Sequence, residues 1–519
     1  MKIPAIMLQG TSSDVGKSIL ATALCRIFKQ DQFAVTPFKS QNMALNSYIT
    51  ADGGEIGRAQ AVQAFAAEVT PTVDMNPILL KPSREMMAEV IVHGKTVENM
   101  SAKAYRNHFI DQALQSINLS LQRLQNQYDV IVIEGAGSPA EINLKDRDIA
   151  NMKIAELADA KVVLVADIDR GGVFASIVGT LELLSQQERD RIIGFIINKF
   201  RGDIELLQPG LTWLEERTGK KVLGVVPYIT NLKIEAEDSL ALTKTYQSSQ
   251  QKFKQCTVRV GVIQFSKISN FTDFDCLQLE AMIDLQFIQS TDLETNFLDF
   301  DAIILPGTKN TMDDLYQLQI SGIDRKIIQY ANDGGLVIGI CGGYQILGKH
   351  LYNPHSNDSE IEYLEGLGLI PVETRFEKTK ITQQVVGEFV DSLFSDTHNC
   401  LGKTVKGFEI HTGRTEYLEN AIPLIKIRLR SNTPTDSLDG CRNQMGNVFG
   451  SYFHGIFDND IFRRMWINYM MIRKGQKPLD QSDFIKYEGS HDYQFDQLAN
   501  IVRENVNIET IYQQISLYK

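Results

Sequence analysis

The stretch MLQGTSSDVGKSILATAL, residues 7–24, decides the fold of the first half of the chain. It has the content of a phosphate-binding loop, G-x-x-x-x-G-K-[ST], with one residue too many. Five residues, Thr11 to Val15, separate Gly10 from Gly16, and Thr11 stands where the first glycine belongs. The apolar run IPAIML (3–8) precedes the loop, and Ile19, Leu20, Ala23, Leu24, Ile27 and Phe28 follow it at helical spacing. A strand–turn–helix context aims backbone N–H groups and a helix N-terminus at phosphate. Lys17 is then the contact to the β- and γ-phosphates, and the Ser18 hydroxyl a Mg²⁺ ligand.

Working outward, the same texture repeats. The runs YDVIVIEG (128–135), AKVVLVAD (160–167), RIIGFIIN (191–198) and KVLGVVPY (221–228) are continuous rather than alternating, as parallel strands covered on both faces require. Residues 236–256 are polar and glutamine-rich and read as a linker. A second pattern then starts with TVRVGVIQF (257–265), FDAIILPG (300–307) and GLVIGICGG (335–343). The expected architecture is two three-layer α/β domains, at 1–235 and 257–460, followed by a helical extension over 461–519.

Composition narrows the function. A formal charge of −12 over 519 residues, without a long basic run, argues against nucleic acid or a membrane surface as partner. The six cysteines form no C-x-x-C pair, so zinc, an iron–sulfur cluster or a disulfide framework is not expected. The opening apolar run is too short for a signal or membrane segment. The reading is a cytoplasmic protein acting on small molecules.

Two constellations carry chemistry. In the first half, Glu134 ends a buried strand before Gly-Ala-Gly, the place for a second Mg²⁺ ligand. Asn198 ends another strand and is placed to read a base edge. Lys39, in TPFKSQN, is a candidate contact for phosphate or a phosphorylated intermediate, and Asp52 or Glu55, in ADGGEIGRAQ, a candidate further Mg²⁺ contact. Asp167 and Asp169, in DIDRGG, end the next strand. In the second half, GLVIGICGGYQILG (335–348) sets Cys341 between a strand and an amphipathic stretch, the pattern of a nucleophile elbow with small neighbours Gly342 and Gly343. His454, in NVFGSYFHGIFDN, is its candidate base. Gly307, in ILPGTKNT, and the Gly342 N–H are the candidate oxyanion donors.

These residues bring resemblances. GTSSDVGKS resembles the loop of the dethiobiotin synthetase-like superfamily, in which Gly-Thr precedes x-x-x-V-G-K-[ST]; this implies ATP-dependent phosphorylation of a carboxylate, with Mg²⁺ held by the loop hydroxyl and by Glu134. The Cys341 and His454 motifs resemble the class I, triad-type glutamine amidotransferases, a flavodoxin-like fold, which implies a glutamyl thioester and released ammonia. That family has His-x-Glu, whereas this chain has His454-Gly455-Ile456. Glu409, in KGFEIHTGRT with His411 beside it, is the candidate substitute acid; otherwise the site is a Cys–His dyad.

Taken in order, FKSQNMALNSYITADGGEIGRAQAVQA (38–64), MNPILLKP (75–82), EGAGSPAEINL (134–144), DIDRGGVFAS (167–176), ISNFTDFD (268–275), GICGGYQILG (339–348) and GSYFHGIF (450–457) resemble the cobyric acid synthases. The resemblance implies amidation of the b, d, e and g carboxylates of adenosylcobyrinic acid a,c-diamide, using ATP, Mg²⁺ and glutamine. The local departure is Arg84-Glu85-Met86-Met87 before Val90. The alternatives are a cobyrinic acid a,c-diamide synthase-like enzyme, another carboxylate amidoligase, and a ParA/MinD-like ATPase switch; Cys341 and His454 together argue against the switch.

Overall fold

The computed structural model describes residues 2–83, 86–229, 258–355, 358–394, 399–480, 484–487 and 490–518. The linker expected at 236–256 lies outside the described residues, as do Arg84 and Glu85.

Strand Ala5–Gly10 lies at the centre of a six-stranded sheet, because both of its faces are apolar. Ala5 and Met7 enter one buried cluster and Ile6 and Leu8 the opposite one. Ile131 and Ile133 alternate in the same way with Val130 and Val132, as do Val162 and Leu164 with Val163 and Val165. The order across the sheet is Lys221–Pro227, Ile192–Phe200, Lys161–Asp167, Ala5–Gly10, Val130–Glu134, Val35–Phe38, all parallel. Helix Lys17–Gln30 covers one face, and Ile110–Gln125 and Val173–Glu182 the other. A four-stranded side sheet of Gln41–Met43, Ile78–Pro82, Met87–Val92 and Lys95–Ser101 carries Lys81 and Glu89.

The second domain begins with a parallel set in the order Ile283–Gln289, Val258–Gln264, Ala302–Leu305, Leu336–Ile340, Val448–Ser451. Beyond it the sheet continues antiparallel through Thr433–Arg442, Ile422–Arg430 and the long Val372–Phe389, which also pairs with Thr404–Tyr417. Both domains present the carboxyl ends of their parallel strands as loops, where α/β sheets place their ligands.

The chain then returns. Helix Ser490–Asn505 packs on helix Lys17–Gln30, with Phe495, Leu498, Ala499 and Val502 entering the same buried cluster as Leu20, Leu24, Ile27 and Phe28. Arg26 seals the contact with ion pairs to Asp492 and Asp496 at 3.2 and 2.7 Å.

Candidate active sites at two sheet edges

At the first edge the loop turns on Gly16, at φ +97°, and a Cβ there would lie 2.2 Å from Asn198 Nδ2. Asn198 donates to the Val15 carbonyl at 2.8 Å, so the structure uses its amide to brace the loop. Lys17 opens the helix, and its Nζ donates to the carbonyls of Ser12 and Gly137 at 3.2 and 3.1 Å. The Thr11 N–H donates to the Val165 carbonyl at 2.9 Å. That amide is taken by the sheet, which leaves the Thr11 hydroxyl as its remaining donor.

Glu134 gathers three donors from three elements. Ser18 Oγ and Lys39 Nζ reach Oε1 at 2.8 and 2.9 Å, and Gln63 Nε2 reaches Oε2 at 2.6 Å. The set fits Mg²⁺: a hydroxyl and a carboxylate are the hard oxygen ligands it takes, with the rest left to water and phosphate. Asp52 and Glu55 are not brought to this pair. Asp52 is exposed and accepts from Thr50 Oγ1. Glu55 is buried with both oxygens taken, Oε1 by Lys81 at 2.8 Å and Ser47 at 2.7 Å, Oε2 by Lys380 at 2.6 Å. The partners of Glu55 are Ser47, Lys81 and Lys380, none of them in the phosphate loop, so the metal reading of Glu55 is corrected to an inter-domain ion pair. Asp167 and Asp169 pair with Lys199 and Arg201 at 2.8 and 2.9 Å.

At the second edge Cys341 has φ 52° and ψ −105°, a strained conformation for a residue with a Cβ and the mark of an elbow. Its N–H donates to the Ser451 carbonyl at 2.9 Å, and its thiol to the Ile410 carbonyl at 3.4 Å. Helix Gly342–Leu347 begins at once, so the Gly342 N–H is one of its first-turn donors. A Cβ on Gly342 would meet the Thr308 nitrogen at 3.1 Å, and one on Gly307 would meet His454 Cε1 at 2.8 Å. The turn after Gly307 therefore sets the Thr308 amide against the elbow, while Gly307 itself makes room for the imidazole.

His454 is fully buried, and its Nδ1 lies 2.7 Å from Asp273 Oδ2; the other Asp273 oxygen accepts from the Gly455 N–H at 2.8 Å. Burial alone would lower the imidazole pKa. The Asp273 carboxylate and then the Cys341 sulfur outweigh it and raise the pKa from 6.5 to about 10. The orienting acid is thus Asp273. Glu409 is instead held by Arg430 in a two-pronged pair at 3.0 and 3.2 Å, which corrects the Glu409 reading. His411 lines the cavity over Cys341, its ring stacked on Tyr452 at 3.6 Å. Burial lowers its pKa to about 3, and its Nδ1 faces the Gly413 carbonyl at 2.7 Å. It is a neutral ring whose buried Nε2 has no hydrogen-bond partner among the described residues.

Sequence reasoning missed Asp273, Gln63, Thr308 and Asn270. The sole signal for Asp273 was its place in ISNFTDFD, after the first strand of the second domain.

A P-loop edge and a Cys–His–Asp edge in one chain define the class: an ATP-dependent, glutamine-hydrolysing amidoligase. Comparison with known proteins agrees in both halves. Residues 6–241 match the CobQ/CobB/MinD/ParA nucleotide binding domain, and 259–462 the CobB/CobQ-like glutamine amidotransferase domain. The chain is 48% identical to the cobyric acid synthase of Desulforamulus reducens over 99% of this chain and 98% of that one. It is 48% identical to that of Dehalococcoides mccartyi strain CBDB1, over 98% of each, and 45% identical to that of Clostridium botulinum strain Langeland, over 99% of each. Among solved structures, PurLQS from Thermotoga maritima superposes with a TM-score of 0.30 at 18% identity, over 47% of this chain and 97% of that one, too little to carry an argument. The chain belongs to the cobyric acid synthase family. Among the described residues no helix is long and apolar enough to cross a membrane.

Proposed function

We propose that the protein amidates the b, d, e and g carboxylates of adenosylcobyrinic acid a,c-diamide, with ATP activating each carboxylate and glutamine supplying ammonia. The observation that carries this reading is that one chain holds both the Ser18–Glu134 hydrogen bond, with Lys17 at the head of the loop helix, and the His454–Asp273 pair, with Cys341 at an elbow beside it.

A carboxylate resists attack by ammonia, because hydroxide is a poor leaving group. Attack of a carboxylate oxygen on the γ-phosphorus expels ADP and leaves an acyl phosphate. Ammonia then adds to the carbonyl and phosphate departs. Lys17 and the loop amides balance the phosphate charge, and Lys39 stands beside Glu134 for the transferring group. Mg²⁺ held by Ser18 and Glu134 would neutralise charge on the phosphates. At the other edge the Cys341 sulfur attacks the glutamine amide carbonyl. The developing oxyanion meets the Gly342 and Thr308 amides. His454, aligned by Asp273, hands a proton to the departing ammonia, and water releases glutamate from the thioester.

The test is the mass of the corrinoid product. Incubation with ATP, Mg²⁺ and glutamine should replace four hydroxyls by amino groups, and an unchanged a,c-diamide overturns the reading. Cys341→Ala should remove glutamine-dependent synthesis and keep ammonia-dependent synthesis. Lys17→Ala should stop both.

A further inference from the structure

His411 is the ring over Cys341 that the Cys341–His454–Asp273 set leaves unused. Its surroundings fix its tautomer. Nδ1 lies 2.7 Å from the Gly413 carbonyl, which can only accept, so Nδ1 carries the hydrogen. Burial, then the Arg430 guanidinium and the His454 ring, oppose a second proton. Nε2 is therefore a lone pair. The ring cannot turn that lone pair elsewhere, because it is stacked on Tyr452 with centroids 3.6 Å apart and planes at 16°. The Tyr452 hydroxyl is itself tied to the Gly413 carbonyl at 3.2 Å and to Gln345 at 3.1 Å.

Among the described residues, Nε2 of His411 is the buried side-chain nitrogen lining the cavity over Cys341 that makes no hydrogen bond. Its neighbours are engaged. Gln345 Oε1 accepts from Thr311 at 2.9 Å, and Asn270 Oδ1 accepts the Ser47 N–H at 3.0 Å. The ammonium groups of Lys309 and Lys380 are held by Glu89 at 3.0 and 3.1 Å. A buried acceptor without a donor is unfavourable, and a ligand that brings a donor relieves it. Position along the cavity says which donor. His411 follows Ile410, whose carbonyl accepts the Cys341 thiol at 3.4 Å, so the ring stands at the reacting end. What glutamine brings to that end is its carboxamide; its α-ammonium is set back by two methylenes.

Resting on the glutaminase reading of this edge, we propose that His411 is a specificity-determining residue whose Nε2 accepts one N–H of the glutamine carboxamide. The bond holds the NH₂ on the His411 side and turns the carbonyl oxygen toward the Gly342 and Thr308 amides. As the Cys341 sulfur adds to the carbonyl carbon and the C–N bond breaks, the nitrogen keeps its two hydrogens and takes the third from His454, leaving as ammonia. Glutamate has a carboxylate oxygen at that place. It offers no hydrogen and sets negative charge against the lone pair, so the product is repelled.

The experiment compares glutamine with glutamate γ-methyl ester, which forms the same thioester, releases methanol and has no N–H to give. The proteins are the wild type, His411→Phe and His411→Gln. Phenylalanine keeps a ring on Tyr452 without a lone pair, and glutamine keeps an acceptor oxygen. The readout is kcat/KM for glutamate release. In His411→Phe the glutamine-to-ester ratio should fall on the order of 5–150-fold, the span for leaving one buried polar group unpaired. In His411→Gln it should fall less. Ammonia-dependent synthesis by the same preparations reports folding. An unchanged ratio in His411→Phe overturns the proposal, and so does an equal fall on both substrates, which a bond to the α-ammonium or a merely structural ring would give. A second measurement leaves His411 in place. In Cys341→Ala protein carrying ¹⁵N-histidine, glutamine at concentrations that saturate the wild type should shift the signal of the unprotonated His411 nitrogen, and glutamate should not. An unmoved signal with glutamine overturns the contact. A wild type that releases glutamate from neither substrate overturns the glutaminase reading instead.

Discussion

His454 shows how far single residues could be read ahead of the structure. Its type and its place after a strand, together with an elbow cysteine, mark it as a candidate base. Its acid did not announce itself, because Asp273 lies 181 positions away and no local spacing links the two. Glu409 was nearer in sequence and of the right type, but Arg430 claims it. The electrostatics make a prediction. Because the histidine's folded pKa is raised from 6.5 to about 10, its contribution to stability is whole below about pH 6.5 and is lost as the pH climbs through about 10. Asp273→Asn should therefore lower the melting temperature most near and below neutral pH, with the deficit closing toward pH 10. It should also cut glutamine-dependent turnover by about 10⁴-fold, the loss seen when a triad's orienting acid becomes an amide, and leave the ammonia-dependent rate in place. Melting curves across pH and the two nitrogen sources check both statements.

Among the elements, the parallel strands were the most legible. Runs such as VVLVA are apolar at every position because both faces of the strand are buried, and turn residues bound them. The antiparallel half of the second sheet was not legible. Strand Thr433–Arg442 is exposed over much of its length, so its composition is that of a loop, and pairing alone makes it a strand. The elbow yields a prediction at this scale. Gly343 donates to the Pro306 carbonyl at 3.1 Å, and a Cβ there would sit 1.9 Å from the Leu305 carbonyl oxygen. Gly343→Ala must push helix Gly342–Leu347 off strand Ala302–Leu305, at a cost of about 1–3 kcal/mol or more. Chemical denaturation should show that loss, and Cys341 should lose its alignment with His454, so glutamine use falls further than ammonia use.

Across the whole molecule, the domains meet through buried charge. Lys380 reaches Glu55 at 2.6 Å and Glu89 at 3.1 Å, and Lys309, in the oxyanion loop, reaches Glu89 at 3.0 Å and Asp358 at 2.8 Å. Burial would raise the Glu55 pKa, but Lys380 and Lys81 hold it well below the ordinary carboxylate value. Lys380→Met leaves two buried carboxylates short of a cation and should destabilise the protein by about 3–5 kcal/mol at neutral pH. A depressed carboxylate stabilises above its unfolded pKa and stops doing so as the pH falls through its folded one, so this penalty should shrink below about pH 4.5. Denaturant midpoints at pH 7 and at a pH between 4.5 and the folded pKa of about 2, such as about pH 3, decide it. None of this pairing was legible, since Glu55 and Lys380 are 325 positions apart.

Helix Ser490–Asn505 also ties the molecule together in time. The face of helix Lys17–Gln30 that this helix covers is apolar, and the residues that cover it are synthesised after the entire second domain. Domains on a ribosome generally fold N-terminal first. Here the first domain can collapse early but cannot close its core until residues 490–505 have emerged. A nascent chain that stalls before that point has a finished amidotransferase sheet and an unsealed phosphate-loop helix. Translation order thus places the sealing of the phosphate-loop helix after the amidotransferase domain has been made.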